Sequence, residues 1–159
     1  MLKKIVLLLI VLLLVLVQFF PRRVFHRANP PVNPANSIEA RAHALTPAVA
    51  GILQRACYDC HSHRTVWPWY SRVAPVGWLM SHDVRQGRRE VNFSDWARYN
   101  PKRAAHKLQE ICERVEEGEM PLWYYQPLHP ASKLSAADKQ AVCAWTRQES
   151  AALPTPTAK

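Results

Sequence analysis

The sequence predicts an all-α protein, because apolar residues recur at three- and four-residue spacing wherever the chain is ordered enough to show a period. Such stripes are Val49, Ile52, Leu53 and Ala56; Val76, Leu79, Met80 and Val84; Leu108, Ile111, Cys112 and Val115; and Leu134, Ala141, Val142 and Trp145. No run alternates with the period of two that a half-buried strand requires. Helix-start and helix-stop residues also bracket the stripes.

From the N-terminus, Met1-Leu2-Lys3-Lys4 is a basic start, and Ile5 to Phe20 is apolar except for Gln18. Those 16 residues would rise about 24 Å as a helix, a little short of the ~30 Å hydrocarbon core. No small-x-small cleavage site follows, since Val17 to Arg23 offers bulky residues, a proline and two arginines. Residues 1–21 are therefore read as an uncleaved membrane-anchor helix, with a cleavable signal segment as the alternative. Residues 22–45 carry Pro30, Pro31 and Pro34 with no sustained apolar period, which predicts a stiff tether. One small domain is expected over 46–150, and a flexible tail over 151–159.

Within the domain, Thr46-Pro47 reads as an N-cap followed by proline at the first helical position. The second helix should follow Pro75 and stop near Gly87. The third should run from about Pro101 to Gly118, where glycine suits the left-handed position after a helix. Ser135-Ala136-Ala137-Asp138 resembles a capping box that opens the last helix.

The most informative pentapeptide is Cys57-Tyr58-Asp59-Cys60-His61. With 4 Cys and 7 His in 159 residues, chance would produce C-x-x-C-H only ~0.004 times per chain, so coincidence is a poor account. Two thiols one helical turn apart can bond to the two vinyl groups of one porphyrin while the adjacent imidazole ligates its iron. The motif thus predicts one covalent haem c per chain, held by Cys57, Cys60 and His61. A thioredoxin-like pair would need a preceding β-branched strand, which is missing. A zinc site from Cys57, Cys60, His61 and His63 would crowd four ligands into seven residues, with no second ligand pair downstream.

Haem c attachment places the domain on the extracytoplasmic side of a bacterial inner membrane. Arg22, Arg23 and Arg27 outnumber Lys3 and Lys4 and would favour the opposite orientation, so they are read as headgroup contacts. The formal charge of +9 divides unevenly, because residues 1–30 hold five basic side chains and no acidic one. The remaining 16 Lys+Arg against 12 Asp+Glu do not make a nucleic-acid footprint. Arg85, Arg88 and Arg89 are read either as haem-propionate partners or as a solvated helix end, and Glu113, Glu116, Glu117 and Glu119 as an exposed face that could steer a redox partner protein.

For the sixth iron ligand, Glu119-Met120-Pro121 follows the helix-ending glycine and resembles the distal Met-Pro of class I cytochromes c, which makes Met120 the choice. His82 and His129 are the alternatives, whereas His26, His43, His63 and His106 read as solvated. Trp67, Trp69 and Trp123 flank the proposed ligands and are expected to touch porphyrin. Cys112 and Cys143 remain, either as a disulfide or as two buried small hydrophobes.

From about Leu45 to Trp145 the chain resembles the bacterial haem-binding domain family of c-type cytochromes. The likeness runs through Cys57-Tyr58-Asp59-Cys60-His61-Ser62, Thr65, Trp67-Pro68-Trp69-Tyr70-Ser71, Ala74-Pro75-Val76, Trp78-Leu79, Gly87-Arg88, Asn92-Phe93-Ser94-Asp95-Trp96, Met120-Pro121 and His129-Pro130. The resemblance implies a small cytochrome c-like helical domain around one haem, with His61 proximal and the Met120-Pro121 loop distal. The expected function is single-electron transfer by a membrane-anchored, non-enzymatic cytochrome. A haem-based sensor or peroxidase with an open sixth site is the alternative.

Overall fold

A computed structural model describes residues 2–18 and 28–154. Its helices are α1 (Leu2–Gln18), α2 (Ile38–Arg41), α3 (Pro47–Ala56), α4 (Tyr58–His61), α5 (Val76–Glu90), α6 (Pro101–Glu116) and α7 (Ala136–Ala152). Short 3-10 turns fill several connections, among them Pro34–Asn36, Trp69–Arg72 and Phe93–Arg98. No strand occurs among the described residues.

Local capping chemistry sets the helix starts. Thr46 Oγ1 accepts from Val49 N at 3.3 Å ahead of Pro47, and Asn100 Oδ1 accepts from Arg103 N at 2.9 Å ahead of Pro101. The capping box of α7 forms as expected, with Ser135 Oγ accepting from Asp138 N at 3.1 Å and Asp138 Oδ2 accepting from Ser135 N at 2.9 Å. Gly118 closes α6 with φ of 76°, the left-handed conformation that glycine adopts without a Cβ penalty.

That backbone bond from Ser135, then Arg55 at 2.7 Å and the Ser135 hydroxyl, hold the Asp138 carboxyl below the usual range. A depressed folded-state value contributes stability above the unfolded value of ~3.9, and this is lost as pH falls through the folded value. Asp138→Ala should therefore cost about 1 kcal/mol at neutral pH, and thermal unfolding should show that difference vanishing in acid.

The core is built from Ile38, Leu53, Phe93, Trp96, Leu108, Val142 and Trp145. α6 packs along α7, and the disulfide Cys112–Cys143 joins them. Of the two readings open for these cysteines, the structure takes the bridge. α3 also packs on α7, while α4 packs on α5.

Three expectations change. Within the span expected as a tether, Pro34–Asn36 and α2 pack with the domain and Ile38 is 0% exposed in its core, while residues 22–27 lie outside the described residues. Even residues 28–31 are docked: Asn29 Nδ2 donates to Thr65 O at 2.8 Å, and Pro31 O lies 3.2 Å from His63 Nδ1. His63, expected to be solvated, also meets Asn92 Nδ2 through its Nε2.

α5 does not stop at Gly87 but continues to Glu90. Its buried face is Gly77, Ser81, Val84 and Gly87, whereas Val76 and Leu79 of the predicted stripe are exposed. A helix that approaches its neighbour closely buries its small side chains, so apolar periodicity found Val84 of the buried face but not Gly77, Ser81 and Gly87.

At the N-terminus, α1 is an apolar helix of 17 residues with none buried, and no helix among the described residues is long and apolar enough to cross a membrane. Gln18 at its end meets the domain, with its side-chain amide donating to Ala74 O at 3.1 Å and accepting from Ala74 N at 3.0 Å. Residues 19–21 of the predicted anchor and residues 155–159 of the predicted tail lie outside the described residues.

Candidate functional site

α3 ends at Ala56, and Cys57, at φ −123° and ψ −37°, breaks the helix before the short α4 carries Cys60 and His61. This break turns the pentapeptide toward a cavity of about 410 Å³ between α4, α5, α6 and the segment after α6. Such a volume lies within the range for small-molecule and cofactor sites. Cys57, Cys60, His61 and Met120 all line it, together with Val91, Phe93, Ile111, Val115, Pro121, Leu122 and Leu134.

The ring of His61 is fixed by carbonyls of α5 and its C-cap: Nδ1 lies 2.9 Å from Gly87 O and 3.2 Å from Val91 O. A carbonyl can only accept, so Nδ1 carries the proton and the Nε2 lone pair is left for a metal. Burial holds the His61 pKa below its ordinary value, although the bonds to Val91 and Gly87 oppose the shift. The imidazole is thus neutral at neutral pH and already oriented, which is how proteins prepare a histidine ligand.

α5 can supply that carbonyl because residue 87 is glycine. A Cβ at this position would lie 2.6 Å from Cys60 O and 3.1 Å from Cys60 Cβ. The helix therefore rests directly on the backbone of the Cys-containing turn.

Both thiols are free. Burial pushes Cys57 and Cys60 up to about 12, with Asp83 and Asp59 adding to the shift at Cys60. A thiol-disulfide exchange site needs a depressed value instead, so this environment disfavours the thioredoxin-like reading.

The two inner residues of the motif reach in opposite directions. Tyr58 is buried against Phe93, with ring centroids 5.5 Å apart, and its hydroxyl donates to Glu39 Oε1 at 2.8 Å. Asp59 accepts from Val66 N at 2.8 Å and from the Tyr125 hydroxyl at 2.7 Å. Tyr124 donates to Asp83 on α5 at 3.2 Å. Two adjacent tyrosines therefore tie the segment carrying Met120 to α4 and α5. Sequence reasoning missed this clamp; its one signal is that both tyrosines follow Met120-Pro121 within five residues.

Met120 is placed by the left-handed turn at Gly118, and its amide donates to Arg114 O at 3.1 Å. His82 also lines the cavity, whereas His129 is engaged elsewhere, with Nε2 at 2.5 Å from the Tyr70 hydroxyl and its ring stacked on Tyr125.

The tryptophans expected at the cofactor do not reach this lining. Trp69 and Trp123 are 77% and 79% exposed, and Trp67 Nε1 donates to Asn29 Oδ1 at 3.3 Å. The apolar side chains on this cavity include Val91, Phe93, Ile111, Val115, Leu122 and Leu134 instead. Arg88 and Arg89 face a different cavity. Arg88 is spent on Ser62 O at 2.7 Å, Asn29 Oδ1 at 2.8 Å and Thr65 Oγ1 at 2.9 Å. The basic groups of the 410 Å³ cavity are Lys107 and Arg114, paired with Glu110 and Glu119 respectively.

Two free thiols, one neutral imidazole with a fixed tautomer, one thioether and a cavity surface that is mostly apolar are a donor set that fits an iron porphyrin. In comparison with known protein families, the family described as "Haem-binding domain" matches residues 12–148. No curated protein and no solved structure matches the chain.

Proposed function

Since the chain belongs to the haem-binding domain family, we propose that it is a c-type cytochrome that carries single electrons. The observation that carries this reading is the presence of His61, with its Nδ1 held by two carbonyls, together with both free thiols and Met120 on one cavity.

In this proposal the thiols of Cys57 and Cys60 would hold the porphyrin covalently, as thioethers to its two vinyl groups. His61 Nε2 and the Met120 thioether would be the protein's two ligands to its iron. Bound haem supplies one-electron iron chemistry. The protein's part is to hold the ligands, keep water away and set the polarity around them. No bond-making reaction on a substrate is required, and a redox partner protein takes up or delivers the electron.

The apolar helix α1 is proposed as the membrane attachment, with the haem domain on the extracytoplasmic side of a bacterial inner membrane. The Cys112–Cys143 disulfide supports this compartment, because such bridges persist where the surroundings are oxidising.

The test is the visible spectrum of the full chain, produced with cytochrome c maturation factors, in the oxidised and reduced states. A covalent low-spin haem with the weak red band of methionine-ligated ferric iron is expected, and Met120→Ala should abolish that band. A high-spin ferric spectrum in the parent protein would instead indicate an open sixth site and a sensor or peroxidase. A protein without haem would end both readings.

A further inference from the structure

A second cavity, of about 430 Å³, is lined by His63, Arg88, Arg89, Asn92, Arg98 and Arg103. Four guanidinium groups share this lining, and no acidic side chain belongs to it among the described residues. Like charges brought together repel, and an anion seated among them would offset that repulsion.

Local structure neutralises little of this charge. The C-terminus of α5, near Arg88 and Arg89, contributes about half a negative charge, but Arg103 sits in the first turn of α6, whose N-terminus contributes about half a positive one. That turn holds no acidic residue, so Arg103 stands against the helix dipole rather than with it. The one ion pair that these four arginines make among the described residues is Arg98 with Asp95, at 3.8 Å. Glu90 is directed to Lys107, at 3.8 Å.

The geometry is also prepared. Arg98 and Arg103 both lie over the ring of Tyr99, at 5.0 and 5.4 Å from its centroid, so each guanidinium plane rests on a rigid support. The Tyr99 hydroxyl accepts from Arg98 at 3.1 Å and from Asn92 N at 3.0 Å, which fixes the ring. Arg98 also donates to Arg88 O at 3.3 Å. Arg103 makes no side-chain hydrogen bond or ion pair among the described residues, so its five donors are available.

We propose that this arginine cavity binds a phosphate-class oxyanion, either free or as the headgroup of an anionic lipid. Planar guanidinium forks match tetrahedral oxyanions through paired charge-assisted hydrogen bonds; Arg103 offers such a fork, and the charges of Arg88, Arg89 and Arg98 on the same cavity favour a dianion over chloride.

Equilibrium dialysis of the full chain with inorganic phosphate, at constant ionic strength set by sodium chloride, tests this directly. Saturable binding of one phosphate per chain is expected, weakened about tenfold in Arg103→Gln by the loss of one charge-assisted contact. The thermal midpoint should show that the variant remains folded, and Arg98→Gln provides a second reading. A parallel arm compares vesicles of phosphatidylglycerol with vesicles of phosphatidylcholine. Retention on phosphatidylglycerol that falls about tenfold in Arg103→Gln, without binding of inorganic phosphate, assigns the same chemistry to a lipid headgroup. If neither probe binds in a manner sensitive to Arg103 or Arg98, the proposal is overturned.

Discussion

Gly87→Ala is expected to lower the stability of the full chain by about 3 kcal/mol and to disturb the ligand field of its haem. In an unhindered helix the same change would be favourable, since alanine is the better helix former by about 1 kcal/mol. Here the added Cβ would meet Cys60 O at 2.6 Å and Cys60 C at 3.0 Å. Those are backbone atoms, so no rotamer change relieves the contact; α5 must move as a body away from the Cys-containing turn. Movement of α5 takes with it the carbonyl of Gly87, which lies 2.9 Å from His61 Nδ1. The variant should therefore show a lower urea midpoint and an altered ferric spectrum together. Gly51→Ala is the control, because nothing lies within 4 Å of a Cβ there; on the exposed side of α3 it should raise stability by up to ~1 kcal/mol. Equal midpoints for Gly87→Ala and the parent would show that the close approach of α5 has no energetic weight.

Glu149→Ala should cost about 4 kcal/mol, a large share of the stability of a domain this size. Glu149 is 0% exposed. Its Oε2 accepts from the amides of His43 and Ala44, each at 2.8 Å, and its Oε1 lies 3.3 Å from His43 Nδ1. The carboxylate thus fastens the segment between α2 and α3 to the last helix. Truncation leaves two partly buried N–H groups without an acceptor, each worth about 1–3 kcal/mol. Glu149→Gln keeps one oxygen that can accept from both amides and turns its NH2 toward His43 Nδ1, but it loses the charge that strengthens these bonds, so it should lie between the parent and the alanine variant. Denaturant midpoints with unchanged m-values would establish the ranking; a Glu149→Ala midpoint within experimental error of the parent would show that the segment closes without this anchor.

Legibility of the fold followed the range of the interactions involved. The N-caps at Thr46 and Ser135, and the glycine at the end of α6, were readable because each bond spans about three residues. The face of α5 was not, since Val76 and Leu79 look like its buried side until α4 is known to lie against Gly87. Glu149 left a faint trace: it continues the stripe Val142, Trp145 and Thr146, a position where a charged side chain must be buried and paired. Trp67, Trp69 and Trp123 are close in sequence to Cys60 and Met120 but do not line the cavity with them, since nearness along the chain does not fix which way a side chain faces.

By itself the sequence determined the helical class and the chemical inventory of the candidate site: two thiols and an imidazole within five residues, and a methionine held before proline. These are local facts, written in spacing and capping. Tertiary structure alone decided which nitrogen of His61 is left for a metal, why residue 87 is glycine, how Tyr124 and Tyr125 bind the Met120 segment to α4 and α5, and that four arginines share a second cavity. Each of these depends on groups far apart along the chain meeting at distances of a few ångströms, and no period or motif encodes which distant backbone will arrive there.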